Sequence, residues 1–294
     1  MYKSFNPADL SVPELHAYML GAVAPRPIAF ASTIDKEGHV NLAPFSFFNA
    51  YSSAPPILVF SANRSGRTGE TKDTYKNIKE IPEVVINIVN YDMIYQMSFA
   101  SSEFPRGVNE FTKTGFTPIA SEAIRPPRVA ESPASFECKV NQVIELGDKG
   151  GAGNLFICEI VRFHIKENIL NAAGKIDPLK VHQVARCGGA YYTKLDETNL
   201  FEIPQPRTVL GIGVDAIPDG IRNSHVLTGN DLGMLALIEQ MPEQALVDEF
   251  KKKEAYQYLS KFEGSERTHQ VHRIAQEMLR GNNIQDAWIA LMAF

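Results

Sequence analysis

The chain has 294 residues, 44% of them hydrophobic and 21% charged, and a net charge of −5 at neutral pH. This is ordinary globular composition, so a full core can form and intrinsic disorder is excluded. No long basic run or basic–aromatic stripe occurs, which argues against nucleic acid as a main partner, and no run of ~18 apolar residues is present to span a membrane.

The longest basic run, Lys251-Lys252-Lys253 between Glu249 and Glu254, reads as a solvated helix face. The segment Met1–Pro7 has no apolar core of signal-peptide length, and the three cysteines, Cys138, Cys158 and Cys187, are widely spaced. Both features point to free thiols in a reducing cytoplasm.

In chain order, Ser11-Val12-Pro13-Glu14 is a capping-box pattern and predicts a short helix over Glu14–Leu20, a packing element. Strands follow: Pro27–Thr33, a turn at Asp35–Gly38, His39–Ala43, then the continuous apolar runs Pro56–Ser61 and Glu83–Val89. Ser135–Val140 alternates, placing Phe136, Cys138 and Val140 inward and Glu137 and Lys139 outward. Gly147–Gly153 reads as a hairpin turn, with Leu155–Phe163 returning. Helical insertions are predicted over Thr71–Glu80 and Tyr91–Ser101. Long antiparallel hairpins with few helices favour a closed or partly closed barrel.

Composition shifts after Pro204-Gln205-Pro206, which reads as a linker. Beyond it the pattern is helical. Thr228-Gly229-Asn230-Asp231 resembles a capping box, and Pro242 suits the first turn of a helix. Val271, Ile274, Ala275, Met278 and Leu279 fall at helical spacing, as do Ile284, Ala287, Trp288 and Leu291. The expected division is a mainly β domain with helical insertions over residues 1–203 and a helical C-terminal extension over 204–294.

Two stretches carry chemistry. In Asn41–Ala50 a strand ends near Pro44 and is followed by Ser46, Phe47, Phe48 and Asn49. Aromatics beside free backbone amides suit a flat heterocycle, and equally suit core plugs at a barrel corner. Ser61–Thr74 then offers the hydroxyls of Ser61, Ser65, Thr68 and Thr74, the cations Arg64, Arg67 and Lys72, and glycines at 66 and 69, ahead of a helix. That donor set is what a phosphate needs, and a solvated basic loop is the alternative.

Other patterns are weaker. Gly211-Ile212-Gly213-Val214-Asp215-Ala216 fits a relaxed dinucleotide pattern, but Pro218 and Gly220 follow where a helix should begin. His269 and His272 near Glu266 make a metal half-site by spacing, with an exposed polar helix face the favoured reading, so no metal site is expected. Cys187 before Gly188-Gly189 reads as a small residue in a tight turn rather than a reactive thiol. No acid–base constellation or catalytic side chain stands out, as suits a protein whose cofactor does the chemistry.

With Pro25–Ala29, Asn41–Asn49, Lys72–Thr74 with Asn77-Ile78, Val85–Ile88, Glu131–Pro133 and Arg186–Tyr191 in this order, residues 20–195 resemble the flavin reductase-like family of FMN-binding split-barrel proteins. The resemblance implies a six-stranded split β-barrel that dimerises, with FMN near the dimer interface. Members reduce flavin with NADH or NADPH, often for a partner monooxygenase, and others are flavoredoxin-like electron carriers. Carried over by position, Ser46, Phe47, Phe48 and Asn49 would line the flavin ring. Ser61, Asn63, Arg67, Lys72 and Thr74 would hold the phosphate, with Arg26 near the site. Arg186 and Tyr191 would approach the flavin or the nicotinamide. The expected activity is therefore that of an NAD(P)H:flavin oxidoreductase in a homodimer, with a flavin-binding carrier lacking NAD(P)H activity as the alternative. The helical extension departs from the minimal family domain and bears on reductase activity more than on FMN binding.

Overall fold

The computed structural model describes residues 1–203 and 210–294, so the linker expected at Pro204–Pro206 lies outside the described residues. The chain forms two compact units, Met1–Phe201 and Glu202–Phe294.

The first unit opens with helix α1 (Val12–Ala22). Its capping box is formed: Glu14 N–H donates to Ser11 Oγ at 3.4 Å and Ser11 N–H to Glu14 Oε2 at 3.0 Å. The helix starts before Glu14 because Pro13 is compatible with the first turn, where its missing N–H costs nothing.

Then come β1 (Ala29–Ile34), β2 (Val40–Phe45), β3 (Phe48–Ser53), β4 (Pro56–Ser61), α2 (Asp73–Glu80) and β5 (Glu83–Asn87). They are followed by α3 (Ile94–Phe99), α4 (Glu110–Thr114) and the short pair β6 (Pro118–Ile119) and β7 (Arg128–Val129). The long strands β8 (Ala134–Glu145) and β9 (Asn154–Ile165), helix α5 (Pro178–Val181), and the pair β10 (Val184–Arg186) and β11 (Tyr192–Lys194) complete the unit.

The main sheet has seven strands in the order β2-β1-β5-β8-β9-β4-β3, paired antiparallel throughout. Seven rather than six are present because the polar, exposed β3 is a true strand, which its sequence does not signal. The two edge strands, β2 and β3, are consecutive in the chain and separated only by Ser46 and Phe47. A two-residue connection spans at most about 10 Å. The sheet must therefore curl until its edges meet at this corner, which makes it a barrel split along one seam.

Both faces of the sheet are covered, so β1 is buried without a break from Ala29 to Thr33. Ala29 and Ala31 join an inner cluster with Phe60, Ile86, Phe156 and Cys158. Phe30 points the other way into a cluster with Leu42 of β2 and with Met93, Met97, Phe111 and Phe116, which α3, α4 and their flanking residues supply.

One burial differs from expectation: Phe136, Cys138 and Val140 share the inner cluster and Lys139 is exposed, but Glu137, on the opposite face, is fully buried. The register shift between Glu137 and Cys138 leaves its extra residue, Val161, on β9, so the alternation of β8 is kept, and the segment around Glu122 and Ala123 covers Glu137. Its carboxylate accepts hydrogen bonds from Glu122 N–H (2.8 Å), Ala123 N–H (2.7 Å) and, at 2.7 Å, His164 Nε2.

The second unit is helical: α6 (Asp219–Arg222), α7 (Gly229–Leu235), α8 (Gln244–Phe250), α9 (Glu254–Leu259), α10 (Gly264–Arg280) and α11 (Ile284–Met292). The Thr228–Asp231 capping box is formed, with Thr228 N–H donating to Asp231 Oδ2 at 2.7 Å. Its core gathers Leu235, Val271, Ala275, Leu279, Ala287, Trp288 and Leu291. Trp288 is fully buried, and its indole N–H donates to the Leu235 carbonyl at 2.9 Å.

Three sequence readings change in this unit. Pro242 precedes α8, which begins at Gln244 behind Glu243. Lys251–Lys253 lie exposed in the turn between α8 and α9, not on a helix face. His272 is buried at 5% exposure instead of facing solvent. Ser224 Oγ accepts from Val226 N–H and Leu227 N–H, so its own proton goes to His272 Nδ1 at 2.7 Å. Burial, with the neighbouring His269, holds His272 below its ordinary pKa. Among the described residues no helix is long and apolar enough to cross a membrane.

Candidate functional site

At the corner where the sheet edges meet lies a cavity of about 600 Å³. One wall is the end of β2 and its connection: Asn41, Ala43, Pro44, Phe45, Ser46 and Phe47. Phe45 packs tilted on buried Phe60, with ring centroids 5.5 Å apart, which anchors the turn whose Ser46 and Phe47 line the cavity. Ser61 N–H donates to the Phe47 carbonyl at 2.9 Å, tying this corner to the end of β4.

A second wall, contiguous with the first, is the segment between β4 and α2. Ser61 Oγ donates to Asn63 Oδ1 at 2.8 Å, and Asn63 Nδ2 donates to the Gly151 carbonyl at 3.2 Å. The 147–153 turn thus braces this segment, and its glycines let the two backbones approach closely. A Cβ on Gly150 would come within 3.0 Å of the Ser65 carbonyl oxygen, and one on Gly153 within 3.0 Å of Ser61 Oγ. Helix α2 begins without a side-chain cap, so its first N–H groups have no side-chain acceptor. Thr74 is buried, and its hydroxyl accepts from Asn41 Nδ2 at 3.0 Å.

Arg67 and Lys72 reach across the cavity to Glu103. Arg67 Nη2 pairs with Glu103 Oε2, and Lys72 Nζ lies 3.3 Å from Oε1. The Lys72 hydrogen bond and the charges of Lys72 and Arg67 hold the Glu103 carboxyl below the usual carboxylate range. Deeper in, Glu110 accepts from Leu42 N–H at 3.0 Å. Burial pushes its carboxyl up despite that bond, and Asp73 adds to the rise. The cavity is therefore lined by cationic and hydroxyl-bearing side chains together with the aromatic corner of β2.

A second cavity of about 220 Å³ shares Pro44, Phe45, Ser46 and Ser101 with the first and is closed by Met97, Arg186 and Tyr192. The Arg186 guanidinium lies over the Tyr192 ring at 4.6 Å and donates to the Tyr192 hydroxyl at 2.8 Å and the Gly189 carbonyl at 2.9 Å.

Of the residues carried over from the family resemblance, Ser46, Phe47, Ser61, Asn63, Arg67, Lys72 and Thr74 line the main cavity, and Arg186 lines the second. Four line neither. Phe48 turns onto the inner core, and Asn49 is exposed on β3 with its side chain accepting from Ala50 N–H at 2.8 Å. Tyr191 is 78% exposed, and its neighbour Tyr192 takes the inward side.

Arg26 is a buried clasp. Its guanidinium donates to the carbonyls of Leu20 (2.8 Å), Val23 and Cys187 (3.4 Å), and its backbone exchanges two 2.9 Å hydrogen bonds with Arg186. Cys187 sits in the turn closed by its N–H bond to the Tyr191 carbonyl, in keeping with a tight-turn role. The sequence reading missed His16, Asn41, Ser101, Glu103, Arg106 and Glu110, which also line the main cavity. Asn41 alone stood inside a quoted motif, and the others carry no local signal.

Comparison with known proteins agrees with this architecture. A family model, the flavin reductase like domain, matches residues 20–187. An uncharacterised protein of Aquifex aeolicus is 38% identical over 181 residues, covering 61% of this chain and 89% of its own. Another, from Halalkalibacterium halodurans, is 37% identical over 203 residues, covering 68% and 95%. Among solved structures, nitrilotriacetate monooxygenase component B from Bacillus cereus is 32% identical with a TM-score of 0.64, covering 69% of this chain and 99% of that one. The 2-nitrobenzoate 2-nitroreductase of Pseudomonas fluorescens is 26% identical with a TM-score of 0.61, covering 72% and 100%. Flavoredoxin of Desulfovibrio vulgaris, at 23% identity and a TM-score of 0.53, shares the fold. The match runs through the barrel as far as the Cys187 turn that Arg26 clasps, and the chain belongs to the flavin reductase-like family of split-barrel proteins.

Proposed function

We propose that this chain is an FMN-binding oxidoreductase that reduces flavin with NADH or NADPH. The observation that carries the reading is one cavity lined both by Arg67, Lys72, Ser61 and Asn63 and by Ser46 and Phe47. Its volume, about 600 Å³, lies in the usual range for a cofactor site. Arg67 and Lys72 would hold the phosphate by charge-assisted hydrogen bonds, with Ser61, Asn63 and the uncapped start of α2 beside them. The ring would lie against Phe47, with the backbone amides near Ser46 serving its polar edge. When bound, FMN supplies a hydride-accepting N5 and returns the electrons to an acceptor.

The chain's own residues bind and orient. Arg186 and Tyr192 wall a space that adjoins the flavin end through Pro44, Phe45 and Ser46, which suits a second planar substrate such as nicotinamide. The likeness to a monooxygenase component B supports a redox-protein acceptor. A cytoplasmic homodimer, and a division into domains 1–203 and 204–294, belong to the same reading.

Arg67→Ala and Lys72→Ala should each weaken FMN binding by about 1–3 kcal/mol, the loss of a charge-assisted bond, as measured by flavin fluorescence titration. Unchanged affinity in both would place the phosphate elsewhere. The purified protein, given FMN, should oxidise NADH or NADPH above background at 340 nm. A protein that holds FMN yet oxidises neither would instead be a carrier of the flavoredoxin kind.

A further inference from the structure

We propose that Glu103 is a built-in competitor for the cofactor's phosphate, and so sets how strongly the site prefers phosphorylated over unphosphorylated flavins. The inference rests on the FMN reading above.

The geometry is that of an anion already seated. The two carboxylate oxygens of Glu103 divide between two cations, Oε2 on Arg67 and Oε1 on Lys72. Among the described residues, neither cation forms another ion pair. Glu103 does not come from the phosphate-binding segment itself. It arrives from the stretch after α3, where Ser101 N–H and Ser102 N–H bond back to Ser98 and Phe99. A few residues on, Arg106 anchors the stretch through Glu80 at 3.2 Å, with Asp35 and Asp73 each at 3.7 Å. The cavity wall is thus fixed on both sides of Glu103, whose side chain remains 54% exposed and free to swing into solvent.

An incoming phosphate cannot share this place. It carries about −1.5 to −2 charge at neutral pH against −1 for the carboxylate, so it wins the cations, but only by the difference between the two sets of pairs. Flavin without a phosphate brings no anion to set against the Glu103 carboxylate, so it does not enter this exchange. Glu103 therefore lowers affinity for FMN and leaves riboflavin untouched. The opposite role, holding Arg67 and Lys72 ready for phosphate, predicts the reverse sign.

The test uses the full chain stripped of flavin, with FMN and riboflavin titrated by fluorescence quenching into wild type, Glu103→Gln, and the double variant Arg67→Ala/Lys72→Ala. Glu103→Gln should tighten FMN about five- to tenfold at low salt, with a smaller gain at high salt, and leave riboflavin within about twofold. FMN affinity that is unchanged or weaker in Glu103→Gln, or equal tightening of both flavins, overturns the competitor role. If the double variant loses discrimination between the flavins while Glu103→Gln changes nothing, only this inference fails. If wild type and the double variant both bind the two flavins alike, the phosphate assignment fails as well.

Discussion

Trp288→Ala is expected to cost the C-terminal unit about 3–5 kcal/mol, the usual loss when a large buried aromatic is truncated and its cavity only partly collapses. Trp288 is fully buried among Leu235, Val271, Ala275, Leu279 and Leu291, and its N–H satisfies the Leu235 carbonyl. The variant therefore leaves a void and an unpaired buried acceptor together. A unit of this size holds about 5–10 kcal/mol in all, so on the order of half its stability should go. Each unit has its own buried cluster, so calorimetry should resolve two transitions, with only one of them moved by the substitution. Because Trp288 is the sole tryptophan, its emission in wild type follows the C-terminal unit alone. Leu235→Ala keeps that reporter and should lower the same transition by about 2–5 kcal/mol. A single transition that shifts as a whole would refute the two-domain division.

Glu137→Ala should destabilise the barrel by about 3–5 kcal/mol and lower its unfolding temperature by roughly 10 °C. The buried carboxylate is the acceptor for two backbone N–H groups of the 121–124 segment as well as for His164. Alanine leaves all of these without a partner. Burial pulls the Glu137 carboxyl upward, but the bonds from Glu122, Ala123 and His164 outweigh it and keep the pKa below the usual value of 4.5. The sign follows: its stabilisation is fully present above pH 4.5 and is lost as the pH falls through the lowered native value. Wild type should therefore lose stability on acidification more steeply than Glu137→Gln, which has no charge to neutralise. Parallel curves from chemical denaturation at pH 7 and pH 3 would contradict this.

Much of the barrel was legible because its strands are apolar on one or both faces. The continuous runs of β4 and β5 and the long β8–β9 hairpin announce themselves. Strand β3 did not, since Asn49–Ser53 are exposed and carry no hydrophobic alternation. Its position, set by the two-residue corner at Ser46-Phe47, is a property of sheet closure, which no local window contains. Glu137 was expected in solvent because a period of two gives its face but not the 121–124 segment that covers that face. The two chemically distinctive loops could be read from residue type. Glu103 could not: nothing in Ser101-Ser102-Glu103-Phe104 marks it, and its role arises from a chain crossing that brings it to Arg67 and Lys72. Arg26 illustrates the converse, a conspicuous residue whose guanidinium is spent on backbone carbonyls.

That Arg26 clasp has a consequence for how the chain can be elaborated. The reciprocal bonds between Arg26 and Arg186 turn the intervening polypeptide into a closed circuit, inside which every pairing of the main sheet is made. Sequence added before Arg26 or after Lys194 enters outside that circuit and rewires none of it. Both flanks are thus ports, places where evolution or a designer can append a helical module, exchange it or fuse a reductant while the barrel keeps its register.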